Sequence, residues 1–361
     1  MIGTVRTPPG LRVEVDRELQ TLFSRSATVV EAYGSEFARL WDLASRHIRG
    51  GKLLRPLLLL ETYDALRCSE GPDPLRTEAV RIAAAVEALH YAFLLHDDVI
   101  DGDLFRRGRR NLVGELMDVS PVQDWSGGTR HWAQTGGILA GDLLLSCAHQ
   151  LFARANVPAE RRARLLDLLE HTVFETTAGE FADVGLSDGV IGSDLSTVLA
   201  MTGRKTATYS FELPLRAAVI LAGGSAGLER RLRKAGWHLG VAYQLQDDLL
   251  STFGDADIHG KDAYSDLREG KQTAIICFAR MCREWPRIEA ELGDRDLSIA
   301  AARRIRDRLR ECGAEDFVQG LIRDQTTAVT DILTQSGPET IPAEVRGILL
   351  TLHAHLDKRQ S

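Results

Sequence analysis

The sequence predicts an all-α fold, a single-domain bundle of long helices around a central cavity. Three observations carry that expectation. Apolar residues recur three and four apart through most of the chain, no alternating strand pattern lasts more than a few residues, and strands do not alternate with helices. In chain order the helical pattern covers residues 53–66, 77–95, 137–155, 161–178, 195–221, 229–250, 273–282, 299–309, 317–333 and 343–355. Residues 77–95 are the strongest case, rich in Ala and Leu, which are good helix formers. Turn-rich stretches at 71–74, 118–128, 185–194, 254–266 and 336–342 separate the helices, and the loop over 118–132, with Pro121, Gly127 and Gly128, is long for a helix connection. Residues 1–10, with Pro8 and Pro9, form a flexible N-terminal segment, and residues 11–361 one helical domain.

Composition narrows the function. The chain has 361 residues, 44% of them hydrophobic, with 44 Lys+Arg against 51 Asp+Glu, a net charge of −7. That apolar fraction excludes a disordered chain, and the acidic balance argues against nucleic acid as a ligand. No uninterrupted apolar run approaches the length of about 18 residues that would mark a membrane span. The N-terminus lacks the apolar core of a signal peptide. Five scattered cysteines (Cys68, Cys147, Cys277, Cys282 and Cys312) point to reduced thiols. These features predict a cytoplasmic protein.

Two segments place paired aspartates inside apolar helices. In LLHDDVIDGDLFRRGRR, residues 94–110, Asp97 and Asp101 are four apart and share a helix face, with His90 and Phe93 deeper on that side. A solvated acidic helix end would explain one such pair. Burial between Leu94-Leu95 and Val99-Ile100 would raise the mutual repulsion of the carboxylates, and a hard cation such as Mg²⁺ would relieve it. In YQLQDDLLSTFGD, residues 243–255, Gln244 and Asp247 share a face and Ser251 lies one turn beyond. Two pairs facing each other in a bundle would make a carboxylate-walled cavity for divalent ions, which then need an anionic ligand such as a diphosphate.

The lysines add to this. Only six occur among the 44 basic residues, and four of them (Lys52, Lys205, Lys261 and Lys271) stand in turn- or glycine-marked contexts. Helix-terminal lysines could arise there by chance, but a compact ammonium in such places suits phosphate, as do the planar forks of Arg55, Arg106 and Arg107.

Taken in order, GGKLLRP, HYAFLLHDDVIDGDLFRRG, LAGDLLLS, GRKTA, YQLQDDLLSTFGD and GKDAYSDLREGKQT resemble the trans-isoprenyl diphosphate synthases, the polyprenyl synthetase family, and among them most resemble geranylgeranyl diphosphate synthases. The resemblance runs from about residue 50 to residue 273. It implies the isoprenoid-synthase type of all-α bundle and the head-to-tail condensation of isopentenyl diphosphate with an allylic diphosphate (dimethylallyl, geranyl or farnesyl). It also implies three Mg²⁺ ions, two held by Asp97 and Asp101 with Asp98 as a supporting charge, and a third on Asp247. Lys205, Thr206, Gln244 and Lys261 would line the allylic site, with Lys271 and Arg106 anchoring its diphosphate. Lys52, Arg55, His90 and Arg107 would hold isopentenyl diphosphate. Family members pair as homodimers, so a second copy of this chain is the expected partner, with no nucleic acid and no membrane span.

Ser251 departs from the family pattern, which ends its second motif in aspartate. The resulting Asp247, Ser251, Asp255 spacing is similar to the second metal motif of class I terpene cyclases, so a cyclase is the rival enzyme; GGKLLRP and Arg106-Arg107 argue against it, since a cyclase binds no second diphosphate. A non-catalytic partner subunit is a further alternative, opposed by the retained aspartates and lysines. For product length, the resemblance places the stop for the growing chain just before Asp97. Phe93 supplies bulk there, while Ala92 opens the next position, which favours a twenty-carbon product over farnesyl or longer chains.

Overall fold

The structure is a computed structural model that describes residues 9–49, 51–67, 72–106, 108–119, 127–254, 264–337 and 339–357. Among the described residues the only strands are a two-stranded hairpin, β1 (Phe105–Arg106) antiparallel to β2 (Arg109–Arg110); every other regular element is helical. The fold is all-α, as the apolar periodicity predicts. The chain divides into two compact units, Arg6–Leu169 with Ala217–Gly224, and Glu170–Arg216 with Ser225–Ser361.

The first unit holds α1 (Pro9–Ser24), α2 (Ala27–Ala32), α3 (Ser35–Ile48), α4 (Leu54–Leu66), α5 (Arg76–Ile100), the hairpin, α6 (Leu112–Asp118), α7 (Gly127–Ala153) and the start of α8 (Ala159–Ser187). Helix α5 is its axis. From residue 82 to residue 92 every side chain is buried, the signature of a helix covered on all sides, and α1, α4 and α7 pack on it. Two expectations shift here. Helix α1 begins at Pro9, inside the segment assigned as flexible; Pro suits the first helical position because its missing N–H has no partner there anyway. Residues 1–8 lie outside the described residues. Helix α7 begins at Gly127, ten residues before the periodicity is visible, so residues 127–132 are helix and not loop, while 120–126 lie outside the described residues. The glycines that hide this helix are there for contact: a Cβ on Gly137 would stand 2.8 Å from a Val99 methyl, and one on Gly141 2.4 Å from the His96 ring.

By length and composition alone, α5 and α7 are long and apolar enough to cross a membrane. The most apolar stretch of α5 is 78% buried inside the protein, as in a core helix; that of α7 is 39% buried.

The second unit contains the rest of α8, α9 (Leu195–Thr202), a π-helix (Gly203–Glu212), the start of α10 (Leu213–Ala222), α11 (Ala226–Phe253), α12 (Ser265–Glu269), α13 (Ala274–Ala279), α14 (Trp285–Glu289), α15 (Ile299–Glu311), α16 (Ala314–Thr334) and α17 (Ala343–Asp357). Here α11 is the axis, packed by the π-helix and α16. Its N-cap Ser225 accepts from the Leu228 N–H at 3.1 Å, which satisfies one orphan donor of the first turn. The single helix expected over 195–221 is three pieces, because ten residues adopt the wider π turn and Leu213 N–H bonds the Thr208 carbonyl five residues back. Close packing fixes that segment: a Cβ on Gly240 would meet Ala207 Cα at 2.4 Å. Helix α8 runs on to Ser187 rather than ending at 178, and α13 is shorter than its periodic stretch. Cys147, Cys277, Cys282 and Cys312 are free thiols, and Cys68 lies outside the described residues.

Candidate active site

In the first unit the C-terminal end of α5 carries the first aspartate motif. Asp98 is buried, Asp97 is half-buried, and Asp101 is the C-cap, its N–H bonded to the Asp97 carbonyl at 2.8 Å. The hairpin then turns Arg106 back onto the helix end. Its Nη2 lies 2.5 Å from Asp98 Oδ1 and 3.3 Å from Asp97 Oδ2, with Nε donating to Asp98 at 3.1 Å. Asn111 pins that turn: its side chain accepts from Gly114 N–H and donates to the Asp103 carbonyl, both at 2.8 Å. Burial pushes the Asp98 carboxyl up to about 6 despite the neighbouring Arg106. Burial would lower Arg106, but Asp98, with Asp97 and Asp103, more than offsets it and holds the guanidinium charged. Arg106, expected as a diphosphate anchor, is thus engaged by the aspartates themselves. Arg107 lies outside the described residues.

Lys52 and Arg55 flank the N-terminus of α4, Lys52 exposed and Arg55 half-buried. The backbone between them is unusual, since buried Leu53 sits in the left-handed region at φ 55°. Gly51 is held from two sides. Its carbonyl accepts from Arg12 Nη2 at 3.1 Å, and a Cβ at this position would lie 3.1 Å from Glu87 Oε1. Glu87 is a buried carboxylate on α5, one turn before buried His90 and on the same face. The sequence reading passed over Glu87; an acid in the middle of an otherwise apolar helix, three residues before His90, was the available signal. Gly51→Ala should press a Cβ on the Glu87 carboxylate and displace this loop, which a lower melting temperature would report. Phe93 is half-buried and Ala92 fully buried on the same helix. Tyr91, beside them, buries a hydroxyl that has no hydrogen-bond partner among the described residues.

In the second unit the π-helix and α11 bring together two of the expected residues, Thr206 and Gln244. Thr206 Oγ1 donates to Gln244 Oε1 at 3.0 Å, and Gln244 Nε2 donates to Asp248 at 2.8 Å. Asp247 is half-buried and Asp248 buried. Lys205 is clasped by two acids of α8, Glu180 at 3.0 Å and Asp183 at 2.6 Å. The close approach of the two helices requires Gly179, where a Cβ would stand 2.3 Å from the Lys205 backbone nitrogen. Glu180 and Asp183 escaped sequence reading because the α8 periodicity fades before them, although two acids three apart after a glycine marked the place. Lys271 pairs with Glu269 at 2.9 Å, and Lys261 and Asp255 lie outside the described residues. Ser251, the departure from the family motif, is buried, and its hydroxyl donates to the Asp266 carboxylate.

Each unit therefore concentrates carboxylate oxygens next to a few fixed cations. No three His, Cys, Asp or Glu side chains among the described residues converge closely enough to hold an ion unaided. This donor set fits Mg²⁺, which takes one or two carboxylates, keeps several waters and shares phosphate oxygens with a substrate.

An all-helical chain with these two aspartate motifs defines a metal-dependent enzyme of the isoprenoid-synthase class. Residues 39–306 match the polyprenyl synthetase family, and the chain belongs to it. It is a trans-prenyltransferase, and the family is Mg²⁺-dependent. Among its relatives is the geranylfarnesyl diphosphate synthase of Aeropyrum pernix, 28% identical over 88% of this chain and 93% of that protein. The geranylgeranyl pyrophosphate synthase of Geoglobus acetivorans is 31% identical over 78% of this chain and 80% of that one. Among solved structures, the geranylgeranyl pyrophosphate synthase of Corynebacterium glutamicum, complexed with isoprenyl diphosphate and magnesium, superposes with a TM-score of 0.87 at 26% identity, covering 97% of this chain and 98% of that one.

Proposed function

We propose that this trans-prenyltransferase condenses isopentenyl diphosphate head-to-tail with an allylic diphosphate and that its main product is geranylgeranyl diphosphate. The observation that carries the reading is the retention, in one helical chain, of both aspartate pairs with Arg106 and Lys205 fixed against acids beside them. Three Mg²⁺ ions, when bound, would neutralise the allylic diphosphate and make it a better leaving group. Asp97 and Asp101 would hold two of them and Asp247 the third. Lys205, Lys261, Lys271 and Arg106 bind the leaving diphosphate, while Lys52, Arg55, His90 and Arg107 orient isopentenyl diphosphate with its double bond toward the allylic carbon. Thr206 and Gln244 present oxygens to the cation that forms when the C–O bond breaks. Attack by the double bond makes the new C–C bond, and the released diphosphate takes the proton lost from the adduct. Residues 11–361 act as one catalytic domain.

The test is incubation of the purified protein with Mg²⁺, labelled isopentenyl diphosphate and each of the three primers, with product length measured. A twenty-carbon diphosphate is the expected outcome. A cyclic hydrocarbon formed without isopentenyl diphosphate would establish the cyclase instead, and inactivity until another chain is added would establish the partner subunit. With Phe93→Ala the product should lengthen; an unchanged length removes Phe93 as the floor of the cavity.

The chain is further proposed to work as a cytoplasmic homodimer. Support comes from Phe174 and Phe181, seven apart on α8, which expose 76% and 77% of their surface on one helix face. Phe181→Glu should shift the mass in light scattering from two chains to one, and a dimer that persists would place the interface elsewhere.

A further inference from the structure

Cys282 and Cys312 are 30 residues apart in sequence, and the second unit brings them into contact. Cys282 follows α13 in the turn toward α14, its N–H bonded to the Ala279 carbonyl at 2.9 Å. Cys312 is the C-cap of α15, its N–H bonded to the Arg308 carbonyl at 3.0 Å. The Cys282 Sγ lies 3.6 Å from the Phe278 carbonyl and 3.8 Å from the Cys312 carbonyl. Burial, and a hydrogen bond shared with the Cys282 thiol, push the Cys312 thiol up to about 11. The chain on both sides is pinned. Phe278, one turn before Cys282, stacks on Phe317 of α16 with ring centroids 4.5 Å apart, which holds α13 on α16. Gly313, left-handed at φ 85°, ends α15 directly after Cys312 and opens α16. Both thiols are half-buried, within reach of a small reagent, whereas buried Cys277 donates instead to the Ser193 carbonyl at 3.3 Å.

We propose that Cys282 and Cys312 form a reversible redox site, a dithiol that a low-molecular-weight disulfide such as glutathione disulfide converts to an intramolecular disulfide. The Cys282 thiolate attacks one glutathione sulfur, the glutathione S–S bond breaks, and the departing thiolate takes up the proton that Cys282 lost. Cys312 then attacks the Cys282 sulfur of the mixed disulfide, and the second glutathione leaves with the Cys312 proton. The two cysteines give up two electrons and two protons, and one glutathione disulfide becomes two glutathiones. Cys282 enters first because Cys312 is held protonated. The new bond locks the end of α13, the helix that follows Lys271, to the junction of α15 and α16, and it restricts the unfolded chain more than the folded one.

The test incubates the purified full-length protein with glutathione disulfide, blocks the remaining thiols by alkylation and maps the digested protein by mass spectrometry, alongside thermal melting. A peptide linked through Cys282 and Cys312 and lighter by two hydrogens is expected, with melting raised by roughly 5 °C and both changes reversed by dithiothreitol. Cys282→Ser and Cys312→Ser should each abolish the linked peptide and the rise in melting. A stable glutathione adduct on Cys282 beside an alkylated Cys312, linkage only through other cysteines, or a rise in melting that survives in Cys282→Ser overturns the proposal. Where a serine variant does not fold, the wild-type map decides, and full alkylation of both cysteines after the oxidant overturns it.

Discussion

Asp97→Ala and Asp247→Ala are each expected to lower condensation by roughly 1000-fold, the upper end for loss of one preorganised electrostatic element in a water-poor site. Each removes a carboxylate whose assigned work is to hold an ion at the leaving diphosphate, and no group of three metal-binding side chains among the described residues stands ready to replace it. Folding should respond differently. Asp97 has 23% of its side chain in water and lies next to Asp98, so its removal relieves like-charge repulsion while giving up one 3.3 Å contact with Arg106. Urea unfolding in EDTA should therefore stay within about 1 kcal/mol of wild type. Product formation in saturating Mg²⁺ together with that unfolding curve checks both halves; a variant that keeps a tenth of its turnover would remove the residue from the metal site.

Which parts were legible in the sequence follows from physics. Helices α5 and α11 stand out because each sets an acid pair against apolar periodicity, a local conflict that marks function. Helix α1 was passed over because its buried face of Leu11, Val15, Leu19, Leu22 and Phe23 is interrupted by charged neighbours, and Pro8-Pro9 read as a breaker when Pro9 in fact opens the helix. The start of α7 was hidden by glycines whose purpose, approach to α5, is a tertiary fact. The π-helix is invisible to any search for a 3.6-residue period, although Lys205 stood out by its glycine-marked context and Thr206 and Gln244 were reached through the family resemblance. Glu87, Glu180 and Asp183 left only faint local signals, because the groups they face, at Gly51 and Lys205, are distant in sequence. Ser251 was noticed as a departure, and the acid it bonds lies 15 residues on.

The larger effect on stability should come from Asp98→Ala. This variant leaves the Arg106 guanidinium beside the buried end of α5 with the longer Asp97 contact and the charge of Asp103. Removing one member of a buried pair costs about 3–5 kcal/mol, and because a third of the Arg106 side chain reaches water the low end applies, about 3 kcal/mol. Replacing both members, Asp98→Leu with Arg106→Met, should restore most of that stability, because the pair itself gains little once both charges are desolvated. The double variant should nevertheless fail to condense substrate, which separates the electrostatic service of the pair from its contribution to folding. The pH dependence has a defined sign. The Asp98 pKa is raised by burial to about 6, so the stability linked to its protonated form is complete below about pH 4 and lost as pH rises through 6, by about 3 kcal/mol in all. In EDTA, wild-type unfolding free energy should fall across that window and the double variant should lack this fall. A wild-type curve that rises with pH there, or a double variant as unstable as Asp98→Ala, would show that the buried pair is not what joins the hairpin to the aspartate helix.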